Sequence, residues 1–524
     1  MKNGTIAVIL TAGKGTRLGD YCKTLNKALL PINGKAVISD IIERFPIDTE
    51  FVIGLGHRAE QVRDYLNAAH PDTRFEFVEV DNYDGEGSGP GYSLMQCRRF
   101  LQCPFYFVSC DTLWNNPIDW QDTGNWLGIS KEIFTEESDS YLNLKIENDR
   151  VVALRDKEKV EGPGWHTFVG LCHIHDFGIF WDALKEDELK AGEHQISNGL
   201  QSLITRGVAN AKEIDWMDIG DREKYTKAVL QYEDYDFSKL NESLYFSNNR
   251  VIKRFADLSI TDKRVRKAQL NPGVFPQIIY HKGEFYAYEL QPGQTLYQHN
   301  SPRIFNKLLQ WLELNLWKKA NVSHAIFQKA CLKFYRDKTL DRVRMYNEKY
   351  SEPNGHSVIN GRNIPSVGDL LEEISWDILS DGIPVFFHGD LQFDNILYQE
   401  ESGAFMLLDW RQDFAGYVEF GDLYYDLAKL YGGILLNYDL IKMNLLQYQE
   451  NEDEIIFDFA QRYQTNNYLE SLGNYILGGG YNLSKVKLLI GLIYLNMSPL
   501  HNYPFDKMLH ALGREILNAE FQQD

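Results

Sequence analysis

A chain of 524 residues, 44% of them apolar and 13% aromatic, is too long for one core and too apolar for disorder, so two or three folded domains are expected. A formal charge of −20 excludes a duplex nucleic-acid partner, which needs a basic face, but not nucleotides held by a few local cations. The six cysteines form no CxxC pair, and the apolar runs are shorter than a signal peptide or a membrane span, so a cytoplasmic chain without zinc or membrane insertion is expected.

In chain order, Ile6–Leu10 reads as a buried strand, 36–44 as a helix, 51–54 as a strand, Ala59–Ala69 as a helix, and 75–80 and Phe105–Ser109 as strands. This alternation predicts a mostly parallel α/β sheet with ligand loops at the strand C-terminal ends. The acidic, aperiodic segment 232–241 is the expected boundary between a domain at 1–231 and another at 240–524. Two hairpins should follow: 243–247 and Arg250–Phe255 around Asn248-Asn249, then 277–281 and 284–290 around Lys282-Gly283. From Pro302 onward helical patterning dominates, interrupted only by 385–409. The second domain should therefore hold a small β-rich lobe, about 240–300, and a helical lobe, about 301–524.

Directly after the first strand comes Ala12-Gly13-Lys14-Gly15-Thr16-Arg17, whose backbone amides can curl around phosphates. It fits neither the Walker nor the dinucleotide glycine pattern. With Asn26-Lys27-Ala28-Leu29-Leu30-Pro31 it resembles the signature of the sugar-1-phosphate and phosphocholine nucleotidyltransferases, with Asn26 where that family has proline. The resemblance continues through the glycine loop 85–91, which contains Gly87 and Gly89, through Ser109-Cys110-Asp111 and Glu158-Lys159, to Trp216-Met217-Asp218-Ile219-Gly220. It implies that Ala12, Gly13, Gly15, Thr16, Gly87 and Gly89 bind the nucleotide and that Lys159 meets the acceptor phosphate. Asp111 and Asp218 would hold Mg²⁺. The chemistry suits these residue types: an acceptor phosphate attacks the α-phosphorus and displaces pyrophosphate, so Arg17 and Lys27 neutralise crowded negative charge.

Downstream, an apolar segment at 385–387 delivers His388-Gly389-Asp390, with Asn395 five residues on, and a second apolar strand delivers Asp409 before Trp410-Arg411. This resembles the catalytic segment of the choline-kinase and aminoglycoside-phosphotransferase family. It implies that Asp390 handles the acceptor hydroxyl, that Asn395 and Asp409 bind Mg²⁺ on ATP, and that His388 braces the loop. Lys253 would meet the ATP phosphates and Glu289 would lie in the adenine hinge. The helix expected near 261–270 contains no glutamate to pair with Lys253; Asp257 and Asp262 are the nearby acids. Arg411 stands where choline kinases carry an acid, and its alternatives are substrate contact or an ion pair with Asp413 or Glu419. Asp422 reads as a helix cap, and Tyr424, Tyr425 and Tyr431 form either core or a cation-binding aromatic box.

The expected fold is thus a Rossmann-like α/β nucleotidyltransferase domain followed by a two-lobed protein-kinase-like (aminoglycoside phosphotransferase) α+β domain. The expected function is bifunctional: phosphorylation of a small alcohol by ATP, then coupling of that phosphate to a second NTP, with CTP favoured. A choline kinase/phosphocholine cytidylyltransferase feeding surface glycan, capsule or lipopolysaccharide is the first reading. An anomeric sugar kinase joined to a sugar-1-phosphate nucleotidyltransferase is the alternative. A third reading makes one domain a degenerate nucleotide sensor; the missing glutamate favours it, and retention of Asp390, Asn395 and Asp409 argues against it.

Overall fold

The apolar run Ile6–Leu10 forms the expected strand, with Ala7, Val8 and Ile9 wholly buried. The computed structural model describes residues 4–132, 136–184, 189, 192–231, 241–350, 357–451 and 454–522. Residues 232–240, most of the expected boundary, lie outside them. The chain divides into two units, Met1–Leu258 with Ile279–Leu290, and Ser259–Ile278 with Gln291–Asp524.

In the first unit a nine-stranded sheet runs Arg74–Glu79, Glu50–Leu55, Ile6–Leu10, Phe105–Ser109, Trp165–Ile174, Asn125–Ser130, Ala209–Ile214, Arg150–Asp156, Leu142–Glu147. The first four strands are mutually parallel. Beyond them, only Asn125–Ser130 and Ala209–Ile214 pair in parallel. The sheet is therefore mixed, which corrects the mostly parallel expectation. Pattern explains the difference: the parallel strands include continuous apolar runs, whereas Arg150–Asp156 alternates exposed and buried residues, as a half-solvated antiparallel strand does. Leu10 sits in register with both Gly54 and Ser109, so the loops that follow these three strands emerge at one sheet end.

A four-stranded sheet, ordered Glu242–Ser247, Arg250–Phe255, Phe285–Glu289, Ile278–Lys282, contains both expected hairpins. Asn248 and Asn249 adopt φ of 48° and 57°, as a two-residue hairpin turn requires. This sheet groups with the first unit rather than with the helical lobe. The cause is packing: Tyr245, Ile252, Phe285 and Ala287 are fully buried in the same core as Val62, Tyr65 and Leu66 of the helix Ala59–Ala69. Burying each large apolar side chain contributes about 1.5–3 kcal/mol. Polar closures complete the seam: Tyr245 donates to the Leu29 carbonyl at 2.8 Å, and fully buried Arg254 meets Glu284 at 2.6 Å.

The second unit is mainly helical. Its hairpin Ile396–Gln399 and Ala404–Leu407 carries Asn395 and Asp409 at its base. The strand expected at 385–387 is limited to Pro384–Val385, paired with Gly421-Asp422. A further sheet of Arg362–Ile364, Ser357–Ile359, Glu454–Phe459 and Leu446–Glu450 corrects the purely helical reading of the remainder. Among the described residues one stretch, Leu483–Leu500, is long and apolar enough to cross a membrane, but 61% of it is buried within the protein. Its helix approaches the helix Phe505–Phe521 so closely that a Cβ on Gly513 would lie 2.9 Å from the Gly491 carbonyl oxygen.

Candidate active sites

In the first unit the loop after Ile6–Leu10 is shaped by small residues. The Ala12 carbonyl accepts from the His57 amide at 2.9 Å, and a Cβ on Gly56 would lie 2.7 Å from the Ala12 methyl. Gly15 takes φ 66°, opening a short 3₁₀ turn from Thr16 that exposes Arg17. Asn26 is buried and explains its own departure from the family pattern. Its Nδ2 donates to the carbonyls of Thr11 and His57 at 3.0 and 2.7 Å, and its Oδ1 accepts from Ala28 N, so one side chain clips the glycine turn to the Lys27 segment.

Lys27 Nζ meets Asp111 Oδ2 at 3.0 Å. Burial opposes the Lys27 charge, but Asp111 outweighs it and raises its pKa; Lys27 in turn holds Asp111 low against burial. A Cβ on Gly220 would lie 3.1 Å from Asp218 Oδ1, 3.7 Å from Asp111 Oδ2 and 3.9 Å from Arg17 Nη2. Two carboxylates and a guanidinium thus converge on one backbone position. Paired carboxylates with room for phosphate oxygens are a donor set that suits Mg²⁺.

Lys224 and Tyr141 were not foreseen. Lys224 Nζ lies 3.0 Å from Asp218 Oδ2 and also meets Tyr141 Oη, which donates to the same carboxylate oxygen at 2.8 Å. Burial opposes the Lys224 charge, yet Tyr141 and Asp218 raise its pKa. The available signal was position, since Lys224 lies in the first turn of the helix that follows Asp218. Lys159 is exposed, in a segment tied to the Tyr141 loop by the Lys157 amide on the Tyr141 carbonyl at 2.9 Å.

The second glycine loop is clamped along its backbone: Gly87 N donates to the Gly192 carbonyl, Gly91 N to that of His194, and His194 N to that of Ser88. Gly89 has φ 119°, and a Cβ there would fall 2.5 Å from the His194 carbonyl oxygen. Gly89→Ala is therefore expected to cost about 1–3 kcal/mol of stability. Gly13→Ala, with nothing within 4 Å of the added Cβ, should stay within about 0.5 kcal/mol of the parent in denaturant unfolding.

In the second unit, Asp390 Oδ1 meets Lys429 Nζ at 2.6 Å and accepts from Gln392 Nε2 at 3.1 Å. Burial pushes the Asp390 pKa up, but Lys429 brings it below the usual carboxylate value, so the group stays ionised. His388 ties the loop to the neighbouring strand end: its Nδ1 receives the Asp390 amide and its Nε2 donates to the Leu408 carbonyl at 2.8 Å. Burial holds the ring neutral, with a pKa brought down to about 3. Asp426 accepts from the His388 and Gly389 amides at 2.8 and 2.7 Å and from Trp317 Nε1 at 3.0 Å.

Asn395 donates to the Asp390 carbonyl at 2.9 Å, and its own carbonyl receives the Leu408 amide. It therefore sits beside the strand end bearing Asp409, whose φ of 49° is strained for a non-glycine residue. The Asn395 amide oxygen and the Asp409 carboxylate are hard donors suited to Mg²⁺. The helix Leu258–Leu270 explains its missing glutamate by reversed polarity. Arg264 Nη1 meets Asp409 Oδ1 at 2.6 Å, Lys263 meets Asp413 at 2.8 Å, and Lys267 donates to the Arg411 carbonyl at 2.8 Å. Lys253 is buried on its strand and Glu289 is exposed at the end of another; both belong to the first unit.

Arg411 pairs with neither acid weighed for it, because Asp413 is held by Lys263 and Glu419 by Arg266. Asp422 caps the helix Leu423–Leu435 through the Tyr424 amide. Of the two readings of these tyrosines, core or aromatic box, burial of Tyr424 and Tyr425 agrees with core, with the protein's own Lys485 and Lys338 4.5 and 5.9 Å from their ring centres.

Residues 7–121 match the family model of the MobA-like NTP transferase domain. The chain is 26% identical over 220 residues to the bifunctional protein GlmU of Methanococcus maripaludis (strain C5), covering 41% of this chain and 51% of that protein. To GlmU of Methanocaldococcus jannaschii it is 24% identical over 253 residues, covering 47% and 58%. To the UTP–glucose-1-phosphate uridylyltransferase AglF of Haloferax volcanii it is 22% identical over 241 residues, covering 44% and 96%. The chain spans about half the length of the GlmU proteins it matches. Among solved structures, a UDP-glucose pyrophosphorylase complexed with UDP-glucose aligns at 20% identity and a TM-score of 0.39, over 44% of this chain and 98% of that one. The match to the MobA-like NTP transferase domain thus falls on residues 7–121, within a unit of mixed α/β fold.

Proposed function

We propose that the chain is a bifunctional cytoplasmic transferase. Its first unit joins a sugar 1-phosphate to a nucleoside monophosphate, and its second forms such a phosphate ester from ATP and a hydroxyl compound. The observation that carries the first half is the convergence of Arg17, Asp111 and Asp218 on Gly220, with Lys27 on Asp111. Similarity to AglF, a UTP–glucose-1-phosphate uridylyltransferase, supports a sugar 1-phosphate over phosphocholine as acceptor, so the sugar reading displaces the choline reading as the leading one.

Ala12, Gly13, Gly15 and Thr16 offer backbone to the triphosphate, Gly87 and Gly89 shape the wall for base and sugar, and Arg17 forks onto phosphate oxygens. Lys27 holds positive charge at the attacked phosphorus, and Lys159 receives the acceptor phosphate. Asp111 and Asp218 in the first unit, and Asn395 and Asp409 in the second, would hold Mg²⁺, which would neutralise phosphate charge. In the second unit Asp390 takes the acceptor's proton, and His388 and Asp426 fix the loop. The product suits assembly of a surface glycan.

The test uses the full chain with Mg²⁺, each of the common NTPs, and a panel of sugar 1-phosphates beside phosphocholine, reading pyrophosphate and the product mass. Pyrophosphate release driven by a sugar 1-phosphate is expected. Release with phosphocholine alone would overturn the sugar reading, and release with neither would overturn the transferase reading.

A further inference from the structure

Within the second unit, a cavity of about 350 Å³ adjoins the catalytic loop, and its wall is cationic. Lys263, Lys333, Lys338 and Arg411 line it, together with Phe334 and Asp413. Asp413 is already held by Lys263 at 2.8 Å. Lys338 and Arg411 form no ion pair among the described residues, and Arg411 Nε is buried without a hydrogen-bond partner. The two cations flank one ring, with Lys338 Nζ 4.4 Å and Arg411 Cζ 5.0 Å from the centre of Phe334. Phe334 lies in a single π-helical turn, Lys333–Asp337, with Lys338 directly after it, an irregularity common at functional sites.

The cavity's position ties it to phosphoryl transfer. A Cβ on Gly389 would lie 2.6 Å from Arg411 Cβ, and Gly389 directly precedes Asp390. Lys338 experiences both Asp390 and Lys429. Burial pushes the Lys338 ammonium pKa well down, Arg411, Lys429 and Arg342 add to that, and Asp390 opposes them. Lys338 and Arg411, gathered in a partly buried wall without a counter-ion of their own, would be favoured by a negative partner. A planar guanidinium beside an ammonium is well matched to a carboxylate or a phosphate.

Building on the kinase reading above, we infer that this cavity holds a carboxylate or phosphate of the acceptor. The compound phosphorylated is then an anionic polyol, a sugar acid or a sugar phosphate, rather than choline or a neutral sugar. Its hydroxyl oxygen forms a bond to the γ-phosphorus of ATP, the bond from that phosphorus to the β,γ-bridging oxygen breaks, ADP leaves with the electron pair, and the hydroxyl proton passes to Asp390. The anionic end, held by Arg411 and Lys338, fixes which hydroxyl faces Asp390. A cationic acceptor would meet repulsion from the same groups.

The experiment uses the full chain in two arms. In the first, calorimetry with glucuronate and with inorganic phosphate compares the parent with Arg411→Ala, Lys338→Met and Arg411→Lys. Affinity is expected to fall about 10–100-fold in the first two variants, the loss of one charge-assisted contact, and to recover in part in the third. In the second arm, ADP release is measured with glucuronate, galacturonate and sugar phosphates against glucose, galactose and choline. Anionic acceptors should be preferred, and Arg411→Ala should raise KM for the acceptor but not for ATP. A rise in KM for ATP alone would assign the cavity to the nucleotide's phosphates and overturn the inference. Equal anion affinity in parent and variants, or a preference for neutral or cationic acceptors, would overturn it as well. Anion binding lost in the variants, with no ADP released by any acceptor, would sustain the anion site and overturn the kinase reading instead.

Discussion

Asp390→Asn is expected to lower ADP formation from ATP and acceptor by about 10²–10⁴-fold, the range for loss of a positioned base. Pyrophosphate release by the first unit should be unchanged. The amide keeps the shape of the carboxylate and can still accept from Gln392, so the loop that Asp426 and His388 hold together has no cause to move. What disappears is the charge that receives a proton and that faces Lys429 at 2.6 Å. The Lys429 pairing also keeps the Asp390 carboxylate ionised despite its burial. Parallel coupled assays of ADP and pyrophosphate on one preparation make the comparison. An Asp390→Asn protein with parental ADP formation would remove Asp390 from the chemistry, and loss of both activities would show misfolding or dependence between the units.

Much of both candidate sites was legible because their residues follow short apolar strands and stand at fixed spacing. Arg17, Lys27, Asp111 and Asp218 are spread over 200 residues; Arg17 and Asp111 follow apolar strands, Lys27 and Asp218 are named by the resemblance to the nucleotidyltransferase signature, and Arg17, Asp111 and Asp218 meet at Gly220. What sequence could not supply was the counter-charge. Lys224, Lys429 and Arg264 lie on helices where a cation is ordinary surface decoration, and only the fold turns them toward Asp218, Asp390 and Asp409. The same limit governed domain assignment. The hairpins at Glu242–Ser247 and Ile278–Lys282 were found from alternation and turn residues, but alternation does not say which core their apolar face will join. Tyr245 and Phe285 settle that by packing with Tyr65. Among the strands between residues 125 and 214, half-exposed ones such as Arg150–Asp156 and Ala209–Ile214 stand out little from loops, whereas Asn125–Ser130 is buried throughout, so that reason does not apply to it.

Lys27→Ala should remove the complementary activity, lowering pyrophosphate release by about 10²–10³-fold, the cost of deleting one preorganised group at developing charge. ADP formation should persist. Lys27 is distinguished from the other cations of the first unit by what holds it. Asn26 clips its segment to Thr11 and His57, and the Cβ position of Gly15 lies 3.2 Å from Lys27 Cβ, so the side chain leaves the backbone at the base of the glycine turn. Its pairing with Asp111 keeps it charged against burial, and an arriving triphosphate would present a stronger anion to the same ammonium. A role confined to holding Asp111 predicts something different: Asp111→Asn would then be as damaging as Lys27→Ala, and the double variant no worse than either. A catalytic Lys27 predicts that Lys27→Ala lowers kcat beyond the effect of Asp111→Asn under saturating Mg²⁺, and that Lys27→Arg recovers part of the lost rate. Measuring kcat and KM for all four variants separates the two, because a purely structural lysine would raise KM for both substrates and leave kcat near the parent value.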